Sequence, residues 1–211
     1  DAESANGGLF REPQHRPLQC PVLPLLIPTC SRLPFHPNQP EIIMNLSMYQ
    51  ASVPCFIRML NNLAAILDKA VAHCEAKKID PAVLAGCRLY PDMYPLAKQV
   101  QIATDMAKGC AARLAGQEPA KYEDNETTLV ELRARVAKTV DFLHGFSPAQ
   151  IDGSEARPIT LNMRSGPLQF NGQVYLLEFA LPNFYFHITT AYALLRHNGV
   201  EIGKQDFIGK P

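Results

Sequence analysis

The chain has 211 residues, 47% apolar and 19% charged, the composition of a folded domain with room for a core rather than of a disordered chain. Lysine plus arginine and aspartate plus glutamate both number 20, with an isoelectric point near 7.1. That balance, with no basic run, argues against nucleic acid and against an anionic membrane surface, and no window nears the roughly 18 unbroken apolar residues of a membrane-spanning helix.

Residues 1–43 hold 8 of the 18 prolines, and a proline every few residues blocks both helix and ladder hydrogen bonding. This leader reads as non-native or disordered, or as translated upstream sequence ahead of Met44, and the domain as residues 44–211. The first helix is predicted from about Ser47 to Lys77, where Tyr49, Val53, Phe56, Leu60, Leu63, Leu67 and Val71 recur at three and four. Pro54 should kink its first turns. "IDPAVLAG" is a connector with its own helical turn. The second helix follows "YPDMYP", with Asp92 as its N-cap, and stops at Gly116. The third begins in "EDNETTLVELRARVAKTVDFL", where Thr128 and Glu131 form a capping box and the acids at 123, 124 and 126 suit the helix dipole. Three carboxylates in four residues also offer a cation site, but the cap accounts for them more simply. "PITLNM" and "PLQF" alternate around "RSG", a β-hairpin over 158–170. The fourth helix starts after Asn171-Gly172 and ends at Asn198-Gly199. Four long amphipathic helices with a hairpin before the last make an all-α, four-helix bundle.

The six cysteines, at 20, 30, 55, 74, 87 and 110, form no CxxC pair and no zinc-finger spacing with a histidine. They read as reduced thiols of a cytoplasmic protein. His73, His144 and His197 fall at helix ends, where a histidine complements the dipole. No nucleophile elbow, phosphate-cradling glycine loop or HExxH occurs. Phe179, Phe184, Tyr185, Phe186 and Tyr192 wrap around much of the fourth helix, as core packing and a homodimer interface would require.

"SMYQASVPCFIRMLNNLAAILDKA", "YPDMYPLAKQVQIATDMAKG", "YEDNETT" and "ALPNFYFHITTAYALLRHNGVEIGK" together resemble an uncharacterised domain-of-unknown-function family of the DinB/YfiT-like superfamily, over about residues 44–209. The resemblance implies an up-down-down-up four-helix bundle, often dimeric, related to metalloenzymes that include thiol-dependent transferases and an isomerase. The wider superfamily holds a divalent metal with three histidines, one on the second helix and an HxxxH pair on the last. Anchoring on Leu195-Arg196 and Gly199 puts His187 at the second position of that pair and Asn183 at the first. Gln99 or Gln101 stands where the second-helix histidine is expected.

One imidazole with two amides is a poor site for zinc or nickel, because neutral amides are weak ligands. Asp105 would add one carboxylate. His187 and Asn183, four apart, share a helix face. The expectation is therefore a cytoplasmic homodimer with a degenerate metal site, no metal cofactor, and a small-molecule pocket formed by Asn183, His187, Gln99, Gln101 and Asp105, or a purely structural role. The alternative is a metal- or thiol-dependent transferase or isomerase, with His187 as catalytic acid/base and as metal ligand if zinc or nickel binds. Pro182, which cannot donate to Glu178, is expected to kink the last helix.

Overall fold

The computed structural model describes residues 46–163 and 166–210. The proline-rich leader, and Arg164 and Ser165 of "RSG", lie outside that range. Helix α1 (Met48–Lys77) opens with a capping box spelled by Ser47-Met48-Tyr49-Gln50: Ser47 Oγ accepts from Gln50 N at 3.2 Å and Gln50 Oε1 accepts from Ser47 N at 3.2 Å. The helix runs unbroken through Pro54. A proline has no N–H for the carbonyl four residues back; here that carbonyl, Gln50 O, accepts from the Cys55 thiol at 3.5 Å.

Asp80 caps α2 (Pro81–Gly86) through Ala82 N. Helix α3 (Leu96–Leu114) is capped by Pro95, not by Asp92. The residue before a proline avoids the α region, so Tyr94 cannot be helical and α3 begins only beyond Pro95. Helix α4 (Leu129–His144) carries the predicted Thr128–Glu131 box, in which Glu131 accepts from the amides of both Thr127 and Thr128. After α5 (Pro148–Ile151), strands β1 (Pro158–Met163) and β2 (Gly166–Asn171) pair antiparallel, Pro158 opposite Asn171. Ile159 and Leu161 point inward on the period of two.

The last long helical run has three parts: α6 (Gly172–Val174), a π-helical stretch over Tyr175–Ala180, and α7 (Leu181–His197). The wide turns end at Ala180, two residues before Pro182, the residue that would break an α-helical ladder. Asn183 Nδ2 then donates to the Phe179 carbonyl at 2.6 Å, supplying a donor beside the missing proline N–H. Pro182 thus marks the end of a π stretch, a feature the kink reading did not contain.

Helix directions follow from named contacts. Arg133, early in α4, bonds Asp68, late in α1, so these helices are antiparallel. Phe56 meets Phe184 edge-on at 4.8 Å, and His73 sits beside Gly199, so α7 runs parallel to α1. Gln99 meets His187 and Arg113 meets Tyr175, so α3 opposes the last run. The order is up-down-down-up, with α3 flanked by α4 and α7. Since α3 and α4 are parallel, residues 115–128 must climb back along the bundle. The core is one cluster: Phe56, Leu60, Leu63 and Leu67 from α1, Val100, Ala103 and Ala107 from α3, Leu132 and Val136 from α4, and Phe184, Ile188 and Leu195 from α7. Each large apolar side chain so buried contributes about 1.5–3 kcal/mol. Helix α8 (Lys204–Ile208) folds back on α1, where Lys69 binds Asp206 and Asn62 donates to Phe207 O. No described helix is long and apolar enough to cross a membrane.

Candidate functional site

Helix α3 presents two polar faces. Gln99 looks toward α7; Gln101, Thr104, Asp105 and Lys108 look toward α4 and the 115–128 connection. A step of two residues turns an α-helix by about 200°, so Gln99 and Gln101 cannot serve one site. The five residues expected to share a pocket are therefore divided among three places.

The first is a chain of hydrogen bonds at His187. Gln99 Nε2 donates to Tyr94 O at 3.1 Å, so Gln99 Oε1 faces His187 Nδ1 at 2.7 Å. A carbonyl oxygen only accepts, so the imidazole carries its proton on Nδ1 and leaves a lone pair on Nε2. Nε2 has no partner among the described residues, yet it is not among the sealed, unpartnered polar atoms, of which Ser154 Oγ is the one described. The ring is buried, edge-on to Phe186 at 5.2 Å, and burial pushes its pKa below the usual imidazole value, favouring the neutral form.

The second is a cavity of about 770 Å³ between α3, the segment after it, β1 and the π stretch. Asn183 lines it; His187 does not. Its polar lining includes Arg113, Arg157 and Tyr175 besides the neutral Gln117, Thr160 and Asn162, and Met106 and Phe179 supply apolar surface. Arg113 Nη1 donates to Tyr175 Oη at 3.0 Å. Burial, with Cys110 nearby, pushes the Tyr175 phenol up to about 12 despite Arg113, so it keeps its proton.

The third is an ion-pair network fastening the return connection. The Arg135 side chain is 1% exposed and uses all its donors: Nε to Thr104 Oγ1 at 2.8 Å, Nη1 to Glu123 O and Glu126 Oε1 at 3.0 Å, Nη2 to Asp105 Oδ1 at 3.0 Å and Asp124 Oδ1 at 3.1 Å. Gln101 Nε2 donates to Glu126 Oε2, and Lys108 binds Asp105 and lies 3.7 Å from the Tyr122 ring centroid. Asp124 and Glu126 therefore answer Arg135, with Lys98 on Asp124, rather than the α4 dipole. A buried guanidinium outbids an exposed helix end for carboxylates.

The residues at His187 do not fit the divalent metal of the wider superfamily. His187 Nε2 keeps a lone pair, but no described residue joins it: Gln99 Oε1 is engaged by the ring's Nδ1–H, the Asn183 amide is turned to a backbone carbonyl, and Asp105 is bound to Arg135 and Lys108. Among the described residues no group of three or more His, Cys, Asp or Glu side chains is placed to hold a metal ion. Sequence reasoning missed Arg113, Arg157, Tyr175 and Arg135. An arginine on a core-facing helix position, as at 135, is the signal that was there to read; the others are joined only by the fold.

No curated protein matches the chain. Among solved structures it is similar to the crystal structure of a DinB family member protein from Shewanella denitrificans, with 47% identity over 77% of this chain and 92% of that chain, and a TM-score of 0.71. A family model described as a domain of unknown function, DUF1993, matches residues 48–208. With the bundle, the hairpin and the helix directions all in agreement, the chain belongs to the DUF1993 family and has the DinB-like fold.

Proposed function

We propose that this chain is a small-molecule-binding DinB-like bundle that works without a transition metal, in the cytoplasm and as a homodimer. The observation that carries this reading is that His187 has no second metal-binding side chain beside it among the described residues, its neighbour Gln99 being engaged by the ring's Nδ1–H, in a bundle that also holds a large, partly apolar cavity. Such cavities, with a few convergent polar groups, are where small ligands bind. Exposed Phe186 and Tyr185 on α7 support self-association. The test is metal analysis of untagged protein dialysed against zinc and against nickel, with sedimentation equilibrium on the same sample. No bound metal and a dimer mass are expected. One equivalent of either metal, lost in His187→Ala, overturns the metal-free reading, and a monomer overturns the dimer.

A second reading rests on the free Nε2 lone pair of a neutral His187, which suits a general base in thiol transfer or isomerisation. Conjugation of glutathione to 1-chloro-2,4-dinitrobenzene, abolished in His187→Gln, would favour it over simple binding.

A further inference from the structure

Among the described residues, most buried or half-buried cations are answered by carboxylates. Lys108 binds Asp105, Lys98 binds Asp124, and Arg135 binds three acids. Arg113 and Arg157 differ: both are half-buried and both line the large cavity, yet no carboxylate among the described residues reaches either. Their positions are nonetheless built. Arg113 is held by Tyr175 Oη at 3.0 Å, on a tyrosine fully buried in the core. Arg157 lies over Gly116, where a Cβ would come within 1.9 Å of its Nη1, and Gly116 has φ +72°, a conformation side chains disfavour. Tyr175 Oη accepts from Arg113, and its own proton finds no acceptor among the described residues. Glu118 is the one carboxylate on the cavity wall; it is exposed and contacts neither arginine as an ion pair.

Two arginines without a carboxylate partner among the described residues and a phenolic donor thus line one cavity whose wall also includes Met106 and Phe179. Guanidinium forks match the planar, two-oxygen geometry of a carboxylate, and a phenolic O–H adds a third donor. We infer that the cavity takes an organic carboxylate with an apolar body, its carboxylate held by Arg113, Arg157 and the Tyr175 hydroxyl and its body against Met106 and Phe179. This rests on the small-molecule-binding reading and names the ligand class for it.

The test is calorimetric titration of the full chain with benzoate, phenylacetate and 4-phenylbutyrate, each beside its neutral amide, and with phenyl phosphate. At least one acid binds saturably, its amide roughly tenfold or more weaker, since a charge-assisted hydrogen bond is lost. Arg113→Met and Arg157→Met each weaken the acid about tenfold and leave the amide unchanged. Gly116→Ala, which keeps the charge but pushes Arg157 aside, weakens the acid in the same direction. Circular-dichroism melts identify any variant that fails to fold, and Arg157→Met, which breaks no hydrogen bond to a core residue, is the variant least exposed to that failure. An amide that matches its acid, or phenyl phosphate binding more tightly than every acid, overturns the carboxylate assignment while leaving small-molecule binding intact. If neither acids nor amides bind in a way the cavity variants weaken, the binding reading falls too.

Discussion

Replacing Arg135 by methionine keeps an unbranched stem of similar bulk and removes every donor of its guanidinium. The groups left behind are unequal. Asp105 and Asp124 are 37% and 34% exposed and retain Lys108 and Lys98, so water and those lysines recover most of their loss. Glu126 is only 13% exposed, and the Glu123 carbonyl also loses its partner. Breaking a fully buried pair costs roughly 3–5 kcal/mol, while exposed pairs are worth at most about 1 kcal/mol. One nearly buried carboxylate, one carbonyl and two screened pairs together suggest about 3 kcal/mol. For a domain of this size that is a fall in Tm of roughly 6–12 °C. The assay is urea unfolding by circular dichroism, with hydrogen exchange read on amides 117–127. A pH series gives the sign. Burial would raise the Asp124 carboxyl, but Lys98 and Arg135 outweigh it and hold it below the usual carboxylate range. A carboxylate lowered in the fold stabilises above its unfolded pKa, and that contribution disappears as pH falls through the folded value. The gap between wild type and Arg135→Met should therefore narrow below about pH 4. A loss under about 1 kcal/mol with unchanged exchange at 117–127 would refute the view that this arginine fastens the return connection.

Three further outcomes are expected. In NMR titration, the His187 ring should ionise below the ordinary imidazole value, and its nitrogen shifts should report Nδ1–H, a preference lost in Gln99→Ala; because the fold lowers this pKa, the stability His187 contributes is present at neutral pH and declines as pH drops through the folded value. Gly172→Ala should destabilise by roughly 1–3 kcal/mol, because its Cβ would meet Ser154 O at 2.0 Å, whereas Gly86→Ala, with nothing within 4 Å, should be neutral or up to about 1 kcal/mol stabilising by chemical denaturation. Alkylation followed by peptide mass spectrometry should label Cys74 and Cys110 only after unfolding, since both are buried and burial raises both thiols.

The long helices, their order and the hairpin were legible because each carries its own periodicity and stops. The Thr128–Glu131 box and the Asn198-Gly199 ending are local grammar. Local grammar misled at Asp92, where a good capping residue lost to the constraint that Pro95 places on Tyr94. Pairing across the bundle was less legible. That Gln99, and not Gln101, meets His187 depends on where α3 starts and on its rotation, and neither follows from residue type. The acids of "YEDNETT" were visible as a cluster, but their partner lies on α4, and the parallel run of α3 and α4 is what brings them to it. Arg113 sits on α3, Arg157 in the connection before β1 and Tyr175 in the π stretch, so no spacing in the chain joins them.

The π stretch has a geometric consequence for the cavity. Side chains four apart on an α-helix overshoot a full circle by about 40°, so over Tyr175, Phe179 and Asn183 the drift would reach about 80° and carry Asn183 off the wall. A π turn admits more residues per circle, which cancels much of that overshoot and leaves all three on one line facing the same space. Beyond Pro182 the ordinary pitch resumes, and His187, one turn further, already faces Gln99 instead. The wide turns thus act as a phase adjuster between two halves of one helix, and deleting Leu177 or Glu178 would rotate the cavity wall against the His187 face without touching a residue of either.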